Sequence, residues 1–370
     1  MARLKQLRLS HFRNCANAKL ELAPKLNLLI GDNAAGKTSV IEALWYLVSG
    51  RSFRSAQSKA LIQSEQEEFV VFAELVTEQA AHLSHKIGLQ KNSDQTLLRC
   101  DGQKLNSHAE LARLLPIQML TPESHKLLEE GPKARRQFMD WGCFHQSSDF
   151  IHHWRYYQRA LKQRNQALKQ KQSNQQIQLW DFALITSSEK ISQLRQSYVE
   201  QLIPLVQSYC EILMPELQAP MECSFRPGWP LSQPDLGQLM QQNLLKDRQL
   251  GHTQYGAHRA DLRFKFNGTE ARQMLSRGQQ KLFVCALLLA QAKLQQQLHQ
   301  EPAIMLIDDL PAELDQQHRR TLMTLLDQLD IQHLVTSTAA DLIEIIDPEQ
   351  SAQWKIELGK IHPLPTAEIS

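Results

Sequence analysis

The stretch GDNAAGKTS, residues 31–39, stands between the apolar run LNLLI (26–30) and the apolar-rich VIEALWYLV (40–48). It fits G-x-x-x-x-G-K-[ST], the phosphate-binding P-loop or Walker A pattern, in the setting that pattern requires: a buried strand entering and an amphipathic helix leaving. Gly31 and Gly36 let the backbone wrap closely, and Asp32, Asn33, Ala34 and Ala35 between them supply successive N–H groups. Lys37 brings a point charge to the outer phosphates of a nucleotide, the Thr38 hydroxyl is placed to ligate Mg²⁺, and Ser39 completes the loop. An ordinary strand-to-helix turn with a solvated lysine accounts for the loop less well, because both flanks are apolar. The loop alone does not say which nucleotide is bound, or for what.

Outward from the loop, the first hundred residues read mainly as strands, in part an antiparallel meander, with one helix after the P-loop. From about 122 to 245 the chain turns helical, glutamine-rich and basic. The prolines Pro227, Pro230 and Pro234 mark a break before strand-like ADLRFKFNG (260–268) and its Asn267-Gly268 turn. A long apolar helix, the strand AIMLIDD (303–309), a second helix and the strand HLVTST (333–338) then suggest a parallel, doubly wound sheet. The expected organisation is an α/β head split between the chain ends (1–121 and 246–370) around a helical arm (122–245).

Composition narrows the class. The chain has 370 residues and a net charge of +2, too small to announce a nucleic-acid partner by itself. No run of eighteen apolar residues occurs and MARLKQLRLS lacks a signal core, so the expectation is a cytoplasmic protein without membrane contact. The six cysteines are scattered, with no C-x-x-C pair and no zinc-like histidine spacing, and read as reduced, mostly packed thiols. Residues 151–172 carry Arg155, Arg159, Lys162 and Arg164 beside Trp154, Tyr156 and Tyr157, with no acid, which makes them the candidate DNA-binding stretch. A helix with a solvated basic face and inward aromatics fits the same pattern. Lys133, Arg135 and Arg136 form a second basic cluster, of which Arg135 and Arg136 read as structural, tied to acids such as Glu129 and Asp140. Arg51 and Arg54 form a third basic cluster, and His258 and Arg259 suit an interface, DNA or a buried turn equally.

Two further motifs sharpen the reading. AIMLIDD is an apolar strand ending in two carboxylates, the Walker B form, in which Asp308 holds Mg²⁺ and Asp309 polarises an attacking water. LSRGQ (275–279) places Ser276, Arg277, Gly278 and Gln279 at a helix start, a second anion site made of a hydroxyl and backbone amides, or simply a capped core helix. LSRGQ resembles the LSGGQ signature of ABC-type ATPases, and AELD (312–315) resembles their D-loop. FRN (12–14), GDNAAGKTSVIEALWYLVSGRSFR (31–54), TPESHKLLEEGPKARRQFMD (121–140), GAHRADL (256–262), LSRGQQK (275–281) and IDDLPAELD (307–315) run in the order of the RecF family, within the SMC/Rad50-like branch. The short insertion without sustained heptads sets the chain apart from the long coiled-coil members.

Departures are Ala34 in place of a common glycine, Ala257 in place of a frequent proline, and no histidine at the ABC switch position, leaving Thr336, Ser337 or Thr338 to fill it. The resemblance implies an ATPase head plus helical arm, ATP with Mg²⁺, DNA binding, an ATP-dependent homodimer, and action with RecO and RecR to direct RecA onto single-stranded gaps. Asp309 is one methylene shorter than the glutamate usual in ABC transporters, which points to slow hydrolysis serving as a switch. An ABC subunit driving a transporter and a P-loop small-molecule kinase are the competing readings. The basic arm and Asp309 count against the first, and the LSRGQ site against the second.

Overall fold

A computed structural model describes residues 2–55, 57–77, 83–230, 235–299 and 303–365. Pro234 lies outside them. The strands in chain order are β1 (Ala2–Phe12), β2 (Cys15–Glu21), β3 (Leu26–Ile30), β4 (Glu68–Thr77) and β5 (Leu83–Asn92). They continue with β6 (Thr96–Cys100), β7 (Gln103–Lys104), β8 (Ile117–Leu120), β9 (Met221–Arg226) and β10 (Asp261–Phe266). The last are β11 (Thr269–Glu270), β12 (Ile304–Ile307), β13 (His333–Ser337), β14 (Ala352–Glu357) and β15 (Lys360–Leu364).

The chain divides into two compact units, residues 1–124 with 281–370, and residues 125–280. In the first unit, β3, β12 and β13 are buried at every position, the mark of strands covered on both faces of a parallel sheet. They lie in a sheet ordered β15-β14-β3-β13-β12-β8, parallel apart from the β14–β15 hairpin. A second sheet, β2-β1-β4-β5-β6-β7, is an antiparallel meander. The helix Lys37–Ser49 buries Val40, Ile41, Ala43, Leu44 and Leu47 in one cluster with Leu7 and Leu9 of β1, Leu29 of β3, Leu306 of β12 and Leu334 of β13. That helix is apolar nearly all round because it is enclosed.

Register fixes the site. Ser337 pairs with Ile30 and Ile307 with Val335, so β3, β13 and β12 end side by side. Gly31 and Asp308, which follow β3 and β12, are delivered to the carboxyl edge of the sheet, where open α/β folds bind ligands.

The second unit holds the helices Pro132–Gln146, Phe150–Lys169 and Asp181–Leu213 and a small sheet β11-β10-β9. Two sequence readings change here. MECSFR (221–226), inside the stretch read as helical, is β9, and it pairs with β10 along its full length, from Met221↔Phe266 to Arg226↔Asp261. Residues 246–280, assigned to the head, therefore pack with the helical unit, reinforced by the ion pair of Arg135 with Asp261 at 2.9 Å. Among the described residues no helix is long and apolar enough to cross a membrane. The six cysteines are unbridged, four of them buried.

Candidate nucleotide site

Gly31 opens the P-loop because nothing larger fits: a Cβ there would stand 2.3 Å from the Ile356 carbonyl oxygen of β14. Gly36 has φ +118° and its added Cβ would lie 3.0 Å from the Asn14 side chain. Ala34 also sits left-handed, at φ +64°. That conformation costs an L-residue roughly 1–2 kcal/mol, a physical reason for glycine to be common at this position. Gly36 is the N-cap of the helix Lys37–Ser49 and brings no side-chain cap, so the first-turn amides stay available to an anion.

The neighbouring sequence braces this loop. Asn14 Nδ2 donates to Ala35 O at 3.1 Å, and Ser39 Oγ donates to Asn14 Oδ1 at 3.0 Å. Arg13 grips the buried Glu42 carboxylate through two bonds, at 3.0 and 2.7 Å, and donates to Ala60 O at 2.8 Å. At the turn of the β14–β15 hairpin, Gly359 N donates to Ala35 O at 2.8 Å.

The chemistry-bearing side chains converge in one cleft of about 660 Å³, lined by Lys37, Thr38, Asp308, Asp309, Thr336 and Arg54 among others. Lys37 Nζ donates to the carbonyls of Gly31 (2.6 Å) and Asp32 (2.9 Å). Burial lowers its pKa, against the pull of the Asp309, Asp308 and Asp32 carboxylates. Thr38 Oγ1 and Thr336 Oγ1 each donate to Asp308 Oδ1 at 2.9 Å. Burial raises the Asp308 pKa, and the two hydroxyls work the other way. A hydroxyl and a carboxylate brought this close form a hard-oxygen set suited to Mg²⁺. Asp309, left-handed at φ +52°, donates its backbone N–H to Thr336 Oγ1 at 2.7 Å. Of the three candidates for the switch position, Thr336 is the one among the cleft's lining residues. Ser337 Oγ is bonded to Ala339 O instead.

Ser276, Arg277, Gly278 and Gln279 belong to the second unit. Ser276 Oγ accepts from Gln279 N (3.3 Å) while Gln279 Oε1 accepts from Ser276 N (3.0 Å), a reciprocal capping box. Ser276, Arg277 and Gly278 are exposed, and a Cβ on Gly278 would meet nothing within 4 Å.

The basic stretch is corrected in part. Arg155, Arg159 and Lys162 are exposed, but Arg164 is fully buried, ion-paired with Asp181 at 2.7 Å and Asp247 at 2.6 Å. Placed on the apolar side of the helix Phe150–Lys169, its guanidinium is held inside by those carboxylates and cannot face DNA. Two of the three aromatics pack inward while Tyr156 stays exposed: Trp154 stacks between Phe150 and the buried Tyr157 and carries Arg195 over its ring at 5.6 Å. Arg135 and Arg136 are structural as expected, yet their partners are Asp261 and the Ala260 carbonyl, while Asp140 pairs with Arg195. His258 lies in a buried turn, bonded to the Tyr157 hydroxyl and the Thr253 carbonyl. Arg54, read from the sequence only as part of a basic cluster, lines the cleft. Its charge and the bracing by Arg13 and Asn14 were visible only as GRSFR and FRN, motifs without an assigned role.

A family model described as RecF/RecN/SMC N terminal domain matches residues 3–354. A relative named DNA replication and repair protein RecF, from Hydrogenovibrio crunogenus, is 57% identical over 361 residues, 98% of this chain and 99% of its own length. The chain belongs to the RecF family. It is thereby a DNA replication and repair protein of the SMC-like ATPase class. The RecF of Shewanella frigidimarina is 41% identical over 360 residues, 97% of this chain and 98% of the relative. A solved structure of the recombination mediator protein RecF with ATP, in the RecFOR pathway, superimposes with a TM-score of 0.86 at 24% identity, covering 98% of both chains. An Smc head from Pyrococcus furiosus gives 0.60 at 13% identity, covering 98% of this chain and 96% of that one, a likeness of fold alone.

Proposed function

We propose that this RecF-family chain is an ATP-gated DNA-binding protein of recombinational repair, in which slow ATP hydrolysis serves as a conformational switch. The observation that carries the reading is the meeting of Lys37, Thr38, Asp308, Asp309 and Thr336, drawn from both ends of the chain, in one cleft. In this reading Lys37 exchanges its carbonyl partners for outer phosphate oxygens, and the amides of residues 31–39 cradle the phosphates. Thr38 and Asp308 hold Mg²⁺, which when bound neutralises charge on the phosphates. Asp309 orients and deprotonates the attacking water, and Thr336 couples its backbone to Asp308 through one hydroxyl.

The exposed Ser276–Gln279 turn supplies the second phosphate contact to the nucleotide of another copy, which makes ATP the trigger of a homodimer. Gly278 supports this, because its own chain leaves open space beside it. Arg155, Arg159 and Lys162 contact DNA phosphates. The RecFOR pathway named for the structural neighbour supports RecR and RecO as partners, and the family resemblance extends this to single-stranded gaps, where RecA is loaded, as the place of action.

Sedimentation with and without ATP and a gapped duplex tests the reading. Association that needs ATP, followed by co-sedimentation of the dimer with DNA, is expected. An ATP-bound monomer would point to a kinase-like enzyme, and a dimer indifferent to DNA to an ATPase coupled to another machine.

A further inference from the structure

On the antiparallel meander, β5 and β6 pair so that Ile87 stands opposite Cys100. Alternation along β5 puts His85 on the same face as Ile87, so the imidazole and the thiol project from one side of the sheet at neighbouring positions. After Cys100 the chain reverses through Asp101-Gly102, both left-handed (φ +51° and +80°), and Gln103 returns opposite Cys100. This two-residue turn of the Asp-Gly type fixes where the Asp101 carboxylate can reach.

Its oxygens are divided. Oδ1 accepts the Lys86 backbone N–H at 2.7 Å, which orients the carboxylate. Oδ2 lies 2.7 Å from His85 Nδ1 and 3.7 Å from Cys100 Sγ. Nitrogen, sulfur and oxygen ligand atoms all fall within 4.8 Å of one another.

We propose that His85, Cys100 and Asp101 bind one Zn²⁺, or a divalent transition metal of similar softness, at the β5–β6 edge. Tetrahedral bonds of about 2.0 Å to nitrogen and oxygen and about 2.3 Å to sulfur set ligand atoms roughly 3.3–3.6 Å apart. The sulfur–oxygen distance is nearly there, and the nitrogen–oxygen distance has to open by only about half an ångström. Thiolate, imidazole and carboxylate together suit zinc and not Mg²⁺. His85 and Asp101 keep 32% and 46% of their side-chain surface exposed, so the ion has an entry path and a fourth position for water. Without a metal the same oxygen accepts from His85 in an ion pair and from the Cys100 S–H in a hydrogen bond, and a bound metal replaces both contacts. Burial and the adjacent carboxylate hold the Cys100 thiol pKa up, so binding displaces a proton and tightens as pH rises.

The test uses the full chain with Mg²⁺ in excess, so that the hard-oxygen set at Thr38 and Asp308 is occupied. Zn²⁺ titration by calorimetry is expected to give one site, and Co²⁺ a thiolate-to-metal absorption band. Cys100→Ser is expected to abolish the band. His85→Gln and Asp101→Asn, which keeps the turn and the Lys86 bond, should weaken Zn²⁺ by about tenfold or more. No band, or a band that survives Cys100→Ser, overturns the site. Should a variant misfold, alkylation of Cys100 in the parent decides by mass spectrometry: protection by Zn²⁺ supports the site, and an unchanged rate overturns it.

Discussion

Within the cleft, single residues separate binding from turnover. Lys37→Ala removes the ammonium that donates to the P-loop carbonyls and is expected to weaken ATP by about tenfold or more without unfolding the chain. Asp309→Asn is expected to bind ATP at the parental affinity and to accumulate ATP-bound dimer, because an amide cannot take the water's proton. Filter binding with a phosphate-release assay separates the two, and Asp309→Asn turning over at the parental rate would move the base elsewhere. Away from the cleft, burial pushes His258 and His333 down to about 4, below the ordinary imidazole value. As pH falls, the unfolded chain takes up protons first, from about 6.5 downwards. Each ring's contribution is therefore complete above about 6.5 and is lost on the way to 4, on the order of 3 kcal/mol per ring. Denaturation of the parent against His258→Gln and His333→Gln from pH 7 to 4.5 should show a stability gap that narrows as pH falls. A gap independent of pH would mean that these imidazoles do not titrate on unfolding.

At the scale of elements, the Leu358-Gly359 turn acts as a prop under the P-loop. A Cβ on Gly359 would stand 2.0 Å from the Asn14 carbonyl oxygen, and the residue has φ +79°. Gly359→Ala must displace the hairpin or the FRN turn, and with it the bond from Gly359 N to Ala35 O. The expected result is a loss of about 1–3 kcal/mol in stability together with weaker ATP binding, measured by thermal unfolding with and without nucleotide. Stability lost with ATP affinity intact would limit the turn to packing. The helix Phe150–Lys169 presents the converse case, with exposed Arg155, Arg159 and Lys162 and an enclosed Arg164. Replacing the three exposed residues by glutamine should lower DNA affinity and flatten its salt dependence, by about 0.9 in the log–log slope for each lost phosphate contact. Arg164→Gln should instead cost about 3–5 kcal/mol of stability, since it strands Asp181 and Asp247, and leave the slope unchanged. Charge composition marked the helix but could not sort the four. Which face is enclosed depends on Asp181 and Asp247, 17 and 83 positions away.

For the whole molecule, what was legible follows from where the information lies. Gly31 and Asp308 follow fully buried strands, with Asp309 next to the second and Lys37 and Thr38 at the start of the helix after the first, so strand, turn and carboxylate could be read from adjacent residues and joined by the family's motif order. Pairings between distant segments were not readable. MECSFR alternates apolar Met221, Cys223 and Phe225 with polar Glu222, Ser224 and Arg226, so a strand was legible there, but its partner β10 was not, and that pairing carries residues 246–280 into the second unit. His85 and Asp101 are 16 positions apart and meet only through the register of β5 and β6. Association between copies is likewise invisible to either unit by itself, and Gly278 offers the cleanest probe of it. Ser276→Arg would also break the cap it makes with Gln279, which confounds interface with helix stability at about 1 kcal/mol. Gly278→Arg adds bulk and charge where the chain itself has open space and leaves both capping bonds in place. If the turn completes the nucleotide site of a second copy, the variant should bind ATP as a monomer with parental affinity and fail to associate when ATP is added. Mixing it with a Lys37→Ala chain puts both defects in one composite site and leaves the other, the variant's P-loop with the partner's turn, intact, so a heterodimer should form with ATP where neither variant associates alone. Analytical ultracentrifugation reads both results. Parental ATP-induced association by Gly278→Arg would exclude the turn from the interface, and loss of ATP binding by the variant monomer would mean that the turn serves its own chain.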